Sequence, residues 1–533
     1  MKKFLLLPLP GAVLSLGLGL GLGACQATFD KDLPNPNVAG ADKPVPPSLV
    51  LPRVEFDIYD QGTGAGPFGQ VQRWNQYVVS NNLYYGGQNQ YNWSTTGTMY
   101  GVLRNVIQME RLAATSLSTK TSGYAALAKF FRAYVYVWQA TRVGDTPASE
   151  AGQGQANLTP AYDTQKQVFA RSLALLDSAN TILAGLPTGG SLQNVIGGDI
   201  YYNNDLGKWR KAINTFRLRV LVSLSRRALD NPDLNVPQQF AAILADPAKY
   251  PLMSSNADNL NFVFNAVSNT YPHEPNDGNN QYQNIGAAYL GLTTASQDPR
   301  TFIAASPAPA QLAAGKKAND FSAYIGADPS LSIDDLRTAS TSGKYSFQNF
   351  ARYYSSVVGP EPYVILGYPE LNFNIAEAVN QGWVPGALAA TYYLRGINAS
   401  LAFYGLSQGQ SLTVGDISGR ALGTTTVDIA AFLANPAVAY KGDNAAGLEQ
   451  ILNQKYVALF QNSGYEAFYN WRRTGLPRTF ATSGGGLNAT GRIPRRWQYP
   501  VDERTYNSAN YQAALQSQFG GQDDLYADTW LTK

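Results

Sequence analysis

The sequence predicts an all-α protein in which helical segments are interrupted by one long irregular region. Along much of the chain, apolar residues recur at spacings of three and four, which is the period of an amphipathic helix. Between about residues 256 and 355 this period is lost, and the chain is rich in Asn, Tyr, Ser and Pro. Loops this long are usually functional or disordered, and the many aromatic residues argue against disorder.

The N-terminus carries the pattern of a bacterial lipoprotein signal. Lys2 and Lys3 precede an apolar stretch over residues 4–22, whose prolines and glycines argue against a long-lived membrane-spanning helix. The stretch runs into Leu22-Gly23-Ala24-Cys25, which resembles a lipobox, where the cysteine becomes the first mature residue and carries lipid. We therefore expect a signal peptide over residues 1–24, lipidation at Cys25, and an extended Pro-rich tether over residues 25–52. The folded domain then comprises residues 53–533.

The clearest helix prediction covers residues 124–143, where aromatic and aliphatic side chains fall on one broad face. Gly144 ends this helix, because glycine readily takes positive φ, and Pro147 bars its continuation. A later helix begins with Asp163 as its predicted N-cap. Many helices form adjacent pairs joined by short turns, which favours helix hairpins. The other predicted helices cover residues 68–79, 99–117, 163–183, 206–228, 369–378, 386–404 and 446–461.

The composition excludes several classes of function. Of the 533 residues 44% are hydrophobic and 14% charged, which indicates a folded chain. The net charge of +3, without a basic run interleaved with aromatics, gives no reason to expect nucleic acid as a partner. One cysteine and one histidine exclude a disulfide framework and Cys/His zinc sites. A Ser-His-Asp mechanism would depend on His273 alone, which has no nucleophile motif around it.

Aromatic residues in polar loops are the candidate ligand contacts. The loop over residues 80–97 combines tyrosines and a tryptophan with Asn, Gly, Ser and Thr, and has no apolar period. Its rings either contact a ligand or fold back to pin the loop, and the sequence leaves both readings open. A ring face can pack on the C–H side of a sugar or on an apolar side chain, while amides supply donors and acceptors.

Short strings spread over most of the chain resemble the SusD/RagB family of outer-membrane nutrient-binding lipoproteins. They occur in the family's order, and their joint pattern is more specific than any one of them. The strings are Arg132-Ala133-Tyr134, Gly144-Asp145-Thr146-Pro147, Leu158–Gln165, Lys208-Trp209, Asn214–Arg219, Ala376–Ala378, Trp471–Pro477 and Arg492–Pro500.

The resemblance implies a helical body of tetratricopeptide-like hairpins and a loop-rich region that holds the ligand. It further implies a surface-exposed, lipid-anchored protein of the outer membrane that captures oligosaccharide or peptide. Such a protein acts as the lid of a SusC-like TonB-dependent transporter, without catalysis and without a cofactor. A structural calcium ion stays open, since Asp and Asn are abundant but show no diagnostic spacing. The expected ligand residues are Tyr84, Tyr85, Tyr91, Asn92 and Trp93 first, then Tyr271, Tyr282 and Tyr354.

Two alternatives remain open on the sequence. A surface glycoside hydrolase would use two carboxylates, for which Glu274, Asp277, Glu361 and Glu370 lie in or beside the irregular region. Nothing in the sequence marks any two of them as a pair. The other alternative is a lipoprotein that binds glycan without any transporter.

Overall fold

The structure, a computed structural model, describes residues 45–60, 69–84, 87–187, 190–273, 275, 278–461 and 463–533. The predicted signal peptide and Cys25 lie outside these residues, as do Tyr85, Glu274 and Asp277. Within the described ranges, no helix is both long enough and apolar enough to cross a membrane.

The fold is helical, as predicted, and its strands are few and short. In the part of the chain that the structure describes, six strands form three antiparallel pairs, β1 with β3, β2 with β4, and β5 with β6. The strands are β1 Val78–Ser80, β2 Leu260–Phe262, β3 Gln283–Ile285, β4 Tyr363–Leu366, β5 Ser411–Gly415 and β6 Ala421–Thr426. The helices are α1 Pro47–Asp60, α2 Val71–Trp74, α3 Tyr100–Ser116, α4 Gly123–Val143, α5 Gln165–Ala184, α6 Leu206–Ser223, α7 Val236–Ala245, α8 Ala287–Ala295, α9 Arg300–Ala304, α10 Pro309–Ala313, α11 Ile333–Thr341, α12 Phe350–Tyr353, α13 Tyr368–Asn380, α14 Ala389–Phe403, α15 Ile429–Ala434, α16 Ala445–Ala458, α17 Glu466–Thr474, α18 Val501–Tyr506 and α19 Ser508–Phe519.

Successive long helices pack against each other as hairpins. Helix α3 packs on α4, α4 on α5, α5 on α6, and later α13 on α14. Helix α13 also packs on α6 and α16, so it joins the first hairpins to the C-terminal part of the chain. This arrangement confirms the predicted tetratricopeptide-like body.

Helix α4 and the start of α5 show how local sequence sets the hairpins. Ser122 accepts a hydrogen bond from the Ala125 N–H and caps α4, and Gly144 ends it at φ +102°. The N-cap of α5 is Thr164, in a capping box with Gln167, and not Asp163 as predicted. The Asp163 carboxylate instead accepts the N–H groups of Ala148 and Ser149 at 2.8 and 2.7 Å, which fixes the turn between α4 and α5.

The predicted tether is too long at its C-terminal end, because α1 begins at Pro47. Leu51, Val54 and Ile58 of this helix are fully buried in the main core, and burial overrides the weak local preference of a Pro-rich segment. Pro52 has no N–H for the Ser48 carbonyl. Gly198 lies against that carbonyl. A Cβ at this position would lie only 2.1 Å from the Ser48 oxygen, so only glycine fits here.

Two further predictions need correction. The helix predicted over residues 68–79 is only the short α2, because Gln76 takes a left-handed conformation at φ +56° and β1 follows. The irregular region over residues 256–355 is also less irregular than predicted. It holds α8 to α12, each nine residues or shorter, and strands β2 and β3.

Candidate functional site

A cleft of about 520 Å³ lies where the two predicted ligand regions meet. We call it the tyrosine cleft, because Tyr84 from the first loop and Tyr282 from the irregular region both line it. The other lining residues are Asn81, Asn82, Leu83, Gln281, Pro309, Arg337, Ser340, Thr341, Gly343, Phe347 and Ile417.

The pairing of β1 with β3 brings the two tyrosines together across about 200 residues of sequence. Ser80 at the end of β1 pairs with Gln283 at the start of β3, so residues 81–84 leave the pair beside the 3₁₀ turn Gly278–Tyr282. The Asn81 N–H donates to the Tyr282 carbonyl at 3.1 Å. The two walls of the cleft are therefore held by backbone hydrogen bonds.

Buried Asn81 also joins these walls to helix α11. Its side-chain amide donates to Asn284 Oδ1 at 2.8 Å and to Ser340 Oγ at 2.6 Å. Ser340 lies in the last turn of α11, so this contact positions the third wall of the cleft. These two hydrogen bonds fix the relative positions of the walls, because leaving the buried amide or its acceptors without a hydrogen bond is unfavourable.

Two rings with different exposure face the cleft above an apolar floor. The Tyr84 side chain is 86% exposed and that of Tyr282 is 36% exposed. The floor includes buried Phe347 and half-buried Ile417. Asn280 Nδ2 donates to the Ile417 carbonyl at 2.9 Å and so holds the turn after β5 against the cleft.

The structure buries four of the predicted ligand residues, Tyr91, Trp93, Tyr271 and Tyr354, so their rings are not exposed at the surface. Trp93 stacks on Trp497 with ring centroids 4.3 Å apart, and its Nε1–H donates to the Arg496 carbonyl at 3.1 Å. The Tyr91 hydroxyl donates to the Trp74 carbonyl at 2.7 Å, and burial raises the pKa of this hydroxyl. The buried rings of Tyr91 and Trp93 therefore fix the conformation of the first loop.

Tyr271 and Tyr354 pack with the single histidine of the chain. His273 stacks on Tyr354 with ring centroids 4.7 Å apart, and Tyr271 meets its edge at 5.8 Å. The Tyr354 hydroxyl donates to Gln348 Oε1 at 2.7 Å. Asn92, by contrast, is exposed but does not line the tyrosine cleft.

The two described candidate carboxylates are each held by an arginine. Glu361 pairs with Arg352, and Glu370 pairs with Arg219. Burial raises the pKa of Glu361, although Arg352 acts in the opposite direction. The two carboxylates therefore lie in separate ion pairs. Among the described residues, no group of three or more His, Cys, Asp or Glu side chains is placed to hold a metal ion.

Two other cavities are less suited to an oligosaccharide. A cavity of about 80 Å³ between α4, α6, α13, α16 and α17 is large enough only for a few waters. Its wall includes Lys455, whose Nζ donates to Asn374 at 2.6 Å and Asn470 at 2.8 Å. Burial lowers the pKa of this lysine. A second open cleft of about 410 Å³ has Phe302 as the one aromatic residue of its described lining, and that ring is buried.

A stack of helix hairpins with a loop-built cleft places the protein in the tetratricopeptide-like class of helical folds. The chain belongs to the SusD-like family, whose profile, described as starch-binding and associating with the outer membrane, matches residues 44–500. Among curated proteins, none matches the chain significantly.

Solved structures agree with this assignment. A SusD homologue from Bacteroides fragilis is 32% identical, with a TM-score of 0.79, and the match covers 92% of this chain and all of that one. A Bacteroides vulgatus protein, named as an outer-membrane protein linked to nutrient binding, is also 32% identical over the same shares, with a TM-score of 0.75. A chitin-binding SusD homologue from Flavobacterium johnsoniae shares the fold at 20% identity and a TM-score of 0.65, over 91% of this chain and 98% of its own.

Proposed function

We propose that this protein captures oligosaccharide in the tyrosine cleft. The observation that carries the proposal is the pair of tyrosines, Tyr84 and Tyr282, lining one cleft in a SusD-like fold. The starch-binding description of the family and the chitin-binding homologue support glycan over peptide as the ligand class.

The chemistry of the cleft suits a sugar. The exposed faces of Tyr84 and Tyr282 can pack on the C–H faces of pyranose rings. The amides of Asn82 and Gln281 offer a donor and an acceptor each, which matches the paired hydroxyls of a sugar. Its volume of about 520 Å³ falls within the usual range for small-ligand sites and suits a short oligosaccharide segment.

In this proposal the protein captures oligosaccharide for transport and does not catalyse a reaction on it. The protein is anchored through lipid on Cys25, faces the exterior, and acts as the lid of a SusC-like TonB-dependent transporter. The lipobox pattern in the sequence and the family's association with the outer membrane support this role. Arginine partners on Glu361 and Glu370 argue against these two as a hydrolytic pair, since each is already bound in an ion pair.

Calorimetric titration of the full-length lipoprotein in detergent tests the ligand class and the cleft together. The ligands are starch and chitin oligosaccharides, and peptides of similar size. We expect at least one glycan series to bind, and Tyr84→Ala or Tyr282→Ala to weaken it about fivefold, because a stacked ring contributes about 1 kcal/mol.

Tyr506→Ala is the matched control, since Tyr506 is 72% exposed on α18 and does not line the cleft. Its affinity for glycan should equal that of the wild type. Binding of peptides alone would overturn the glycan assignment. Glycan binding that neither cleft substitution weakens would overturn the assignment to this cleft.

A further inference from the structure

Arg337 on α11 is the one charged side chain in the described lining of the tyrosine cleft. It is exposed, and it forms no ion pair or hydrogen bond with any residue that the structure describes. Two other arginines of the irregular region are different. Arg352 pairs with Glu361, and fully buried Arg300 pairs with Asp298 at 2.6 Å.

The position of Arg337 at the cleft is fixed by its neighbours on α11. Leu336, the preceding residue, is 1% exposed and packs in a small core with Val79, Ala327 and Tyr345. Ser340, one turn after Arg337, is held by the Asn81 amide. Residues three apart share a helix face, so the contact that positions Ser340 also keeps Arg337 on the cleft side of the helix.

No carboxylate in the described lining balances this guanidinium. The nearest acids on the same helix, Asp334 and Asp335, lie in its first turn, where they stabilise the helix N-terminus. Asp335 is further engaged with Ser332, whose Oγ donates to its carboxylate at 2.7 Å. The rest of the described lining is tyrosine, amide, hydroxyl and apolar. A cation in such a neutral lining favours a ligand that brings its own negative charge.

We propose that the tyrosine cleft selects oligosaccharides that carry an anionic group, and that Arg337 binds this group. The inference rests on the proposed glycan capture and names the class of glycan. The planar guanidinium matches an oxyanion with two parallel N–H donors, a geometry that lysine cannot reproduce. Two sources share this chemistry, the carboxylate of a uronic acid and the sulfate ester of a sulfated sugar.

Calorimetry with matched pairs of ligands separates charge from sugar recognition. One pair is an oligogalacturonate and its methyl ester of the same length, and the other is a sulfated galactan oligosaccharide and its desulfated form. We expect the full-length protein to bind the anionic member of at least one pair about fivefold more tightly at low salt, and the preference to shrink at high salt. Whichever pair shows the preference identifies the source of the anion.

Three variants assign the preference to Arg337. Arg337→Gln should remove the preference by lowering the affinity for the anionic member much more than the affinity for the neutral member, and Arg337→Lys should keep only part of the preference. Arg104→Gln on α3 is the matched control, because Arg104 is also exposed and does not line the cleft. It changes the net charge equally and should keep the full preference.

The possible results distinguish this inference from the proposed function. Equal affinity for both members of each pair would overturn the anionic selectivity and leave glycan capture standing. A preference that survives in Arg337→Gln would overturn the role of this residue. Failure of every glycan, neutral and anionic, to bind would overturn both proposals.

Discussion

Exposure separates two groups among the aromatic residues that the sequence marks as ligand contacts. Tyr84 and Tyr282 lie at the surface in the tyrosine cleft, whereas Trp93 is 6% exposed. The aromatic neighbours of Trp93 include Trp74, Phe468 and Trp497, at ring-centroid distances of 4.3–5.2 Å. Its ring therefore packs in the core and stabilises the fold.

Replacing Trp93 and Tyr84 in turn tests this division. Trp93→Ala should lower the free energy of unfolding by about 3–5 kcal/mol, as expected when a buried aromatic ring leaves a cavity. Tyr84→Ala should change it by less than about 0.5 kcal/mol, because the side chain is at the surface. Urea denaturation followed by fluorescence and far-UV circular dichroism measures both. Equal changes for the two variants would contradict the division.

The sequence indicates the loops that form the cleft, but it does not distinguish their exposed aromatic rings from their buried ones. All of these rings stand in polar segments with the same local composition. Three partners of Trp93, namely Phe468, Trp497 and the Arg496 carbonyl, lie roughly 400 residues further along the chain. Local pattern carries no information on such contacts. The sequence does not indicate Arg337 as a ligand residue either. Its position in the cleft with the two tyrosines depends on the packing of α11, which the local sequence does not show.

Helix α1 is held to the body by a buried carboxyl group. Glu55 is fully buried, and its Oε2 accepts a hydrogen bond from the Ile200 N–H at 2.7 Å. Burial, and then the nearby charge of Asp199, raise the pKa of Glu55 well above its ordinary value of 4.5. Protonation of Glu55 removes a buried charge and its repulsion with Asp199.

This arrangement makes stability depend on pH in a defined direction. A carboxyl group whose pKa is raised on folding stabilises the folded state fully below its unfolded pKa, and loses that contribution as pH rises through the folded pKa. Glu55→Gln mimics the protonated form at every pH. We therefore expect its free energy of unfolding, relative to the wild type, to rise as the pH increases above about 4.5.

Urea denaturation at several pH values measures this difference. Glu449→Gln is the control, since Glu449 on α16 is half-buried and pairs with exposed Arg478 at the surface. It should show no such rise. A Glu55→Gln variant that loses stability relative to the wild type as pH increases would contradict the account.

The long helices were predicted well because their capping and period are local. Gly144 ends α4 as expected, and α13, α14 and α16 lie where the apolar period predicts them. Short helices such as α9 and α12 escaped prediction, since four or five residues carry too little periodic pattern. The predicted helix over residues 68–79 failed at Gln76. The side-chain amide of that residue donates to the Tyr91 hydroxyl and the Ala481 carbonyl, contacts that local sequence does not reveal.

Buried ion pairs connect α6 of the early hairpins to α13, and α13 to α17. Arg219 on α6 pairs with Glu370 on α13, and Arg473 on α17 pairs with Glu377. All four side chains are 11% exposed or less. Because removing one partner would leave an unpaired buried charge, these contacts fix how the three helices meet.

Co-purification tests the proposed role as a transporter lid. Tagged full-length protein, extracted from outer membranes in mild detergent, should bring down a TonB-dependent barrel in stoichiometric amount. A Cys25→Ala variant should lose the lipid and leave the membrane fraction. Recovery of the protein alone, in detergent that preserves other complexes, would contradict the lid role and favour free-standing glycan binding.

The central claim is that oligosaccharide binds between Tyr84 and Tyr282. A crystal structure of the protein with a glycan selected by calorimetry tests it most directly. We expect electron density for a sugar ring against at least one of the two tyrosines, with a polar group of the glycan near Arg337. Density confined to the cleft beside Phe302, or to any other surface, would contradict it.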